Sequence, residues 1–411
     1  MNCRVCDKET TEPFLSLPEQ PPANELVKDG EPSTLYPLEL VFCPSCHLVQ
    51  LSSQSYIARQ VLFDNYAYAS SVPKALREHF IGLAKEIKSM VPSDGLVLDI
   101  GSNDGVLLKP LKELGVRAIG IEPARNLAQI ANDNGLETIW GYWGMAICDL
   151  LGKSLNHPNN ADVIVASNVF AHVESIQMFL AHVEHILKPS GTLILEVQYL
   201  ADMIKDLSFD NIYHEHVYYF TVESMINVLS RSEFYIWKIR HVNTHGGSLR
   251  VYAKREMVAP SQKELRTIEP FIAGESDAML DFHDTYVEFE KKVQGRLQKF
   301  RHAVRKLRQN KKIVAAYGAP AKASTLLNSA GLNVNDIAYI VDDNPLKQGL
   351  FVPKAMIPIR SSDYMKEVPP DYLVLFAWNY ANEIEENLKQ QGIKAELIIP
   401  MGPNNNLEEF A

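Results

Sequence analysis

Between about residues 70 and 255 the chain alternates short apolar runs with stretches whose apolar residues recur at helical spacing, a pattern that predicts a parallel α/β sheet. The clearest strands are Val97-Leu98-Asp99-Ile100, Ala118-Ile119-Gly120-Ile121, Asp162-Val163-Ile164-Val165-Ala166 and Thr192-Leu193-Ile194-Leu195-Glu196, each bounded by Gly, Pro or Asn. From 261 to about 309 charged residues dominate. Apolar ones fall at helical spacing there (Leu265, Ile268, Ile272; then Val293, Leu297, Phe300, Val304), which predicts one or two long helices bridging two domains. A second α/β unit follows, with strands at 313–317, 338–341 and 372–376. The first 55 or so residues have several prolines and little helical period. The expected fold class is α/β: a small N-terminal module (1–65), a first α/β domain (66–260), and a helical bridge with a second α/β domain (261–411).

Composition narrows the partners. A chain of 411 residues with 46% hydrophobic and 22% charged side chains is globular and large enough for two to three domains without disulfide support. Forty basic against fifty acidic residues leave a net charge of −10, which disfavours a phosphate-backbone binder, so no nucleic-acid partner is expected. No apolar run approaches the ~20 residues that span a bilayer. The start, Met1-Asn2-Cys3-Arg4-Val5-Cys6, has no apolar signal segment. No membrane and a cytoplasmic location are therefore expected, and nothing demands an obligate protein partner.

Four of the five cysteines stand as Cys3-x2-Cys6 and Cys43-x2-Cys46, with 36 residues between the pairs. Two such turns can close a tetrahedral four-thiolate zinc site that leaves no open position, so the expected ion is one structural Zn2+. Four buried free thiols are the weaker alternative. Cys148 falls outside the pattern and reads as a small core residue. His47 is a spare ligand only if one cysteine is not used.

The strand ending at Ile100 runs into Gly101-Ser102-Asn103-Asp104-Gly105 and then a helix, a turn that lets backbone approach a nucleotide closely. A dinucleotide fingerprint has a second glycine where this chain has Asn103, so the turn is not shaped for a pyrophosphate. About twenty residues on, Glu122 ends the next strand, where an acid can accept both hydroxyls of a ribose. Asp99, Gly101, Asn103, Gly105 and Glu122 suit S-adenosylmethionine (SAM), which carries no phosphate, better than NAD; glycines serving packing alone are the bland alternative. Asn168 joins them from the carboxyl end of a later strand.

Tyr213-His214-Glu215-His216 is the densest reactive segment. In an extended segment His214 and His216 share a face and could hold a second metal. Alternatively Tyr213, Glu215 and His216 form an acid/base group around a near-neutral imidazole, or the pair is simply hydrogen-bonded in a core turn. Thr244-His245-Gly246-Gly247-Ser248 is either a ligand-binding turn or a plain hairpin. Tyr66 and Tyr68 could close over a site or merely pack.

Together these segments resemble the SAM-dependent sugar C-methyltransferases of deoxysugar biosynthesis over nearly the whole length. The resemblance rests on the CxxC…CxxC module with Pro22-Ala23-Asn24 and Tyr36-Pro37-Leu38, the Asp99-to-Gly105 turn, and Asn168 with Ala171-His172. It extends through Tyr213-His214-Glu215-His216, Gly246-Gly247-Ser248-Leu249-Arg250, Gly318-Ala319-Pro320-Ala321-Lys322, and Asp343-Asn344-Pro345 followed by Lys347-Gln348-Gly349. It implies a nucleotide-linked keto-sugar held between the two Rossmann-like domains. His216 would be the base, with Tyr213, Glu215, His172 and a tyrosine of the 66–68 pair beside it. His214, His245, Gly246, Ser248, Lys322 and Gly318 are the expected substrate residues, the last two for the diphosphate. Ala323 stands where the family has Gly, and Pro73 interrupts its Ser-Ser-x-Ser stretch. The implied reaction generates an enolate beside a ketone and methylates carbon, with C-3 of a nucleotide-linked 4-keto-6-deoxyhexose as the expected position. An O- or N-methyltransferase acting on a small molecule, or a non-catalytic nucleotide-sugar binder, would share many of these features.

Overall fold

The apolar runs of the first domain are strands of a seven-stranded sheet in the computed structural model, which describes residues 1–59, 62, 71, 73–154, 160–255 and 261–410. Leu96–Ile100 is buried on both faces, as a central parallel strand covered by helices must be. Across the sheet the order is Tyr235–Val242, Ser248–Lys254, Leu187–Gln198, Ala161–Ser167, Leu96–Ile100, Arg117–Glu122 and Thr138–Trp140. The last five are parallel, but the hairpin formed by the first two is antiparallel, so the sheet is mixed. The wholly parallel expectation fails there because residues 243–247 are too short for a crossover, and the chain must fold straight back.

Strand order reverses between Leu96–Ile100 and Ala161–Ser167, and ligands of open α/β sheets bind in the crevice outside such a point. Gly101 lies in that crevice at φ +71°; a Cβ there would come within 2.4 Å of Val169 Cγ2, so only glycine lets the two strand ends approach.

The C-terminal sheet repeats the arrangement. Its order is Phe351–Val352, Ile357–Arg360, Ile340–Val341, Val314–Tyr317, Tyr372–Leu375, Glu396–Ile398, parallel except for the first pair. Its reversal falls between Val314–Tyr317 and Tyr372–Leu375, where Gly318 at φ +86° abuts Ala377. A third, four-stranded antiparallel sheet takes Leu15–Gln20, Tyr36–Phe42 and Val49–Leu51 from the N-terminal module and Tyr218–Tyr219 from the segment just after His216.

Two helices bridge the domains. Gln262–Asp277 begins with a Ser261/Glu264 capping box and packs on the hairpin strand Tyr235–Val242; His283–Gln309 buries Val293, Leu297, Phe300 and Val304 and packs on the C-terminal domain. Ile272, expected on the buried face, is exposed, and Phe271 makes the core contact instead. Helix Ala321–Ala330 is buried along its whole length between the three parts. Its Thr325 hydroxyl donates to the Ile212 carbonyl (3.1 Å), and Ser329 meets Gln20 of the N-terminal module (3.1 Å). Among the described residues no helix is long and apolar enough to cross a membrane.

Candidate active site and zinc centre

The two CxxC turns converge. Cys3 and Cys46 sulfurs are 3.7 Å apart, Cys6 and Cys43 are 3.5 Å apart, and all four lie within 4.8 Å of one another. A tetrahedron of zinc–sulfur bonds of about 2.3 Å has edges of about 3.8 Å, so the donor set fits one closed, structural zinc. His47 turns away to Glu223 (2.9 Å) and is not a ligand. The module is tied to the core by Gln177, which donates to the Val5 carbonyl (2.7 Å), and by Asn227, which donates to that of Cys46 (3.3 Å). Among the described residues no second group of ligand atoms gathers, which removes the reading of His214 and His216 as a metal pair. His214 Nε2 instead donates to the Pro37 carbonyl at 3.0 Å, and His216 Nδ1 donates to the Asn211 carbonyl at 2.7 Å.

The two strand-order reversals open onto one cavity of about 660 Å³. At one end Asp99, Gly101, Asn103, Glu122 and Asn168 line its wall. Gly105 does not; at φ +86° a Cβ there would strike Leu136 at 2.4 Å, so this glycine serves helix packing. The Glu122 carboxylate accepts from the backbone N–H groups of Asn103 (2.8 Å) and Ala124 (2.7 Å), which aims it at the cavity mouth of the turn. Burial pushes Glu122 up to about 7, and burial together with the Glu122 charge pushes Asp99 up to about 8. Ser102 and Ser167 line the same wall, and their hydroxyls have no hydrogen-bond partner among the described residues. An end lined by carboxyl and hydroxyl groups, with Arg59 stacked 4.7 Å over Tyr142 nearby, offers hydrogen-bonding groups of the kind a ribose needs. Glu122→Ala should weaken SAM binding about 10- to 100-fold, the loss of charge-assisted hydrogen bonds of about 1.5–3 kcal/mol. Titration calorimetry checks this; unchanged affinity would dismiss Glu122 as the ribose acid.

At the other end His172, Tyr213, His216, His245 and Lys322 line the wall. The His216 ring lies 4.1 Å from that of Tyr213 and 4.8 Å, edge-on, from that of His172. Because Nδ1 donates to a carbonyl, which only accepts, Nε2 carries the lone pair. Several expected residues are not on this wall. Glu215 is buried and accepts from Asn24 Nδ2 (2.6 Å), and His214 faces Pro37 and Tyr36. Gly246 lies under Trp378, where a Cβ would come within 2.4 Å of the ring, Ser248 donates to the Thr244 carbonyl (3.0 Å), and Gly318 backs onto Ala377. The Thr244–Gly246 segment is the hairpin connection, and it brings His245 (φ +55°) to the wall. Buried Glu196 braces it, taking Arg250 on one oxygen (2.9 Å) and Thr244 on the other (3.2 Å). Tyr66 and Tyr68 lie outside the described residues. Asn211 and Arg59 line the site, and Asp210 and Trp378 stand behind Lys322, without a signal in the residue pattern; Asn211 acts through a backbone carbonyl, which no side-chain motif can announce.

Burial, then neighbouring His172, hold the His216 imidazole well below its ordinary 6.5; burial also takes His172 and His245 down to about 4. All three rings are neutral at pH 7. A base with a lowered pKa keeps its lone pair until the pH falls through that value. The acid limb of kcat/KM should therefore lie below pH 6.5, with His172, His245 and Lys322 the charged or titratable groups around His216 that keep it there. A pH–rate profile breaking at 6.5 or above would contradict this.

The fold and site define a SAM-dependent methyltransferase with a structural zinc module. The chain matches family models described as a zinc binding domain (3–63), a methyltransferase domain (69–239) and a C-methyltransferase C-terminal domain (243–401). It is 33% identical to "C-methyltransferase NovU" of Streptomyces niveus over 94% of this chain and 92% of that protein. The chain belongs to this C-methyltransferase family. A "Ubiquinone biosynthesis O-methyltransferase, mitochondrial" of Rattus norvegicus is 32% identical over 25% of this chain and 31% of its own length. A solved SAM-dependent methyltransferase of Thermotoga maritima covers 44% of this chain and 90% of its own at 17% identity and a TM-score of 0.35.

Proposed function

We propose that the protein methylates a carbon next to the ketone of a nucleotide-linked keto-deoxysugar, with C-3 of a 4-keto-6-deoxyhexose as the preferred position. The observation that carries this reading is the His216 tautomer: Nδ1 is engaged by the Asn211 carbonyl, and Nε2 is left as a base on the wall of the cavity that also holds the cofactor residues. Methylation of oxygen or nitrogen uses an existing lone pair, whereas carbon must first lose a proton. Kinship to a C-methyltransferase supports the same choice.

When bound, SAM supplies an activated methyl group. The chain's own residues do the rest. His216 Nε2 accepts the proton α to the ketone. Tyr213 and His172 flank the ring and restrict its tilt, and Asn211 keeps it in the base tautomer. The cavity runs on past the histidines to Pro320, Ala321, Ala377, Asn379 and Tyr380 at the strand-order reversal of the C-terminal sheet, which is where the nucleotide portion is assigned. Holding both ligands across one cavity supplies the orientation that an in-line transfer needs.

The test is incubation of the protein with SAM and a thymidine-diphosphate-linked 4-keto-6-deoxyhexose in heavy water, read by mass spectrometry. Deuterium uptake beside the ketone and a methyl on carbon are expected. Methylation confined to oxygen or nitrogen of other substrates, without carbon-bound exchange, would overturn the reading.

A further inference from the structure

Among the described residues Lys322 is the one Lys or Arg side chain on the histidine wall of the cavity; burial lowers its pKa and the Asp210 charge opposes that fall. Lys322 is nine-tenths buried, and its ammonium has no hydrogen-bond partner among the described residues. Its surroundings explain how a buried cation is kept without one. The nitrogen sits 4.3 Å over the face of Trp378, and the indole N–H of that residue donates to Asp210 Oδ2 at 2.7 Å. The buried Asp210 carboxylate is thus the counter-charge, but it is not hydrogen-bonded to Lys322. A buried ion normally satisfies its donors through direct pairing. Here the indole lies between the two charges, and on this cavity-lining side chain the ammonium, itself buried, keeps N–H donors that no described residue takes. Trp378 itself is fixed from both sides, with Gly246 and Gly402 pressed against its ring so closely that a Cβ at either would come within 2.5 Å of it.

What enters must be an anionic oxygen, and two parts of a sugar nucleotide qualify: the diphosphate and the enolate oxygen formed when the α-proton leaves. Charge and position favour the enolate. Among the described residues Lys322 and Arg59 are the Lys or Arg side chains on the cavity wall, and Arg59 is stacked on Tyr142 beside the cofactor residues. One buried ammonium matches one developing negative charge, not the two of a diphosphate. Lys322 also shares its wall with His216 and His245, and its charge acts on both rings. The enolate oxygen lies two bonds from the carbon that loses its proton to His216, so it must form close to the base.

We propose that Lys322 is a catalytic residue of the proton-abstraction step, donating to the ketone oxygen as it becomes an enolate, with Asp210 and Trp378 as its positioning residues. The inference rests on the C-methyltransferase reading above. In the step the α C–H bond breaks and its proton forms an N–H bond at His216 Nε2. The C–H electron pair becomes the new carbon–carbon π bond, and the carbonyl π pair moves onto oxygen. Lys322 keeps its own proton throughout. The need is evident from the base: a neutral imidazole held below its ordinary basicity is weak against a carbon acid unless the product anion is stabilised.

The experiment compares wild type, Lys322→Met and the double variant Lys322→Met/Asp210→Asn, which removes both buried charges and keeps the test valid if the single variant folds poorly. For each, α-deuterium exchange of the saturated complex with a thymidine-diphosphate-linked 4-keto-6-deoxyhexose is measured without methyl transfer, beside the affinity for thymidine diphosphate alone. The expected result is an exchange rate lowered by about a hundred-fold or more in both variants, with thymidine diphosphate affinity within about two-fold of wild type and the acid limb of the rate profile moved up. A loss of about ten-fold or more in diphosphate affinity with unchanged exchange at saturation would overturn it in favour of a phosphate anchor. No exchange in wild type would overturn the C-methyltransferase reading itself, and this inference with it.

Discussion

His216→Gln is expected to lower carbon methylation by about 10²- to 10⁴-fold, the range over which a positioned general base contributes. The glutamine amide keeps a polar side chain of similar length, but it offers no basic lone pair at the place of Nε2. The substitution therefore separates the chemistry from the packing around Tyr213 and His172. SAM affinity should stay close to wild type because Glu122, the expected ribose acid, and its Asn103 and Ala124 donors belong to the other end of the cavity. Carbon-bound deuterium exchange should fall in step with methylation. A variant that keeps a third or more of the wild-type exchange rate would remove His216 from the role of base.

Zinc removal should have the second large effect. Four thiolates closed on one ion contribute folding free energy outright, about 10–16 kcal/mol in isolated zinc-finger peptides. Here the sheet strand Tyr218–Tyr219 and the Gln177 and Asn227 hydrogen bonds also hold the module, so the loss will be smaller. Several kcal/mol at about 2–4 °C per kcal/mol still amounts to a fall in Tm of about 10 °C or more for Cys43→Ser or the chelated protein. Activity should fall as well, because the module holds the segment around His216. Asn24 grips Glu215, and the Pro37 carbonyl takes the His214 ring, the two residues between Tyr213 and His216. Metal analysis should find one zinc per chain in wild type. An apo protein with unchanged melting and unchanged exchange would show that the cysteines neither hold the ion nor support the site.

The His214 and Glu215 side chains mark the limit of reading by motif. The residue pattern brings Tyr213, His214, Glu215 and His216 together as one reactive group, yet packing divides it, with Tyr213 and His216 on the cavity wall and the middle pair turned into the N-terminal module. Gly105 and Gly318 are likewise conspicuous in sequence and prove to serve close approach of backbone, to Leu136 and Ala377, rather than contact with the cavity.

From the sequence alone came the features that short-range geometry dictates. Two CxxC turns specify a four-thiolate site because each turn aims both sulfurs the same way. The Gly101 turn and Glu122 specify a cofactor crevice because strand, turn and strand end are held in register by a parallel sheet. Apolar period located the strands and the bridging helices because burial repeats with the element's own geometry. Only the tertiary structure decided what the site does with these parts. The indole between Lys322 and Asp210 joins segments distant in sequence, and even the nearby Asn211 carbonyl that sets the His216 tautomer and the hairpin that brings His245 to the wall take their direction from the packing around them. Such contacts arise where three domains pack together. Their physical content is an orientation and an environment, and neither is written in the identity or spacing of neighbouring residues.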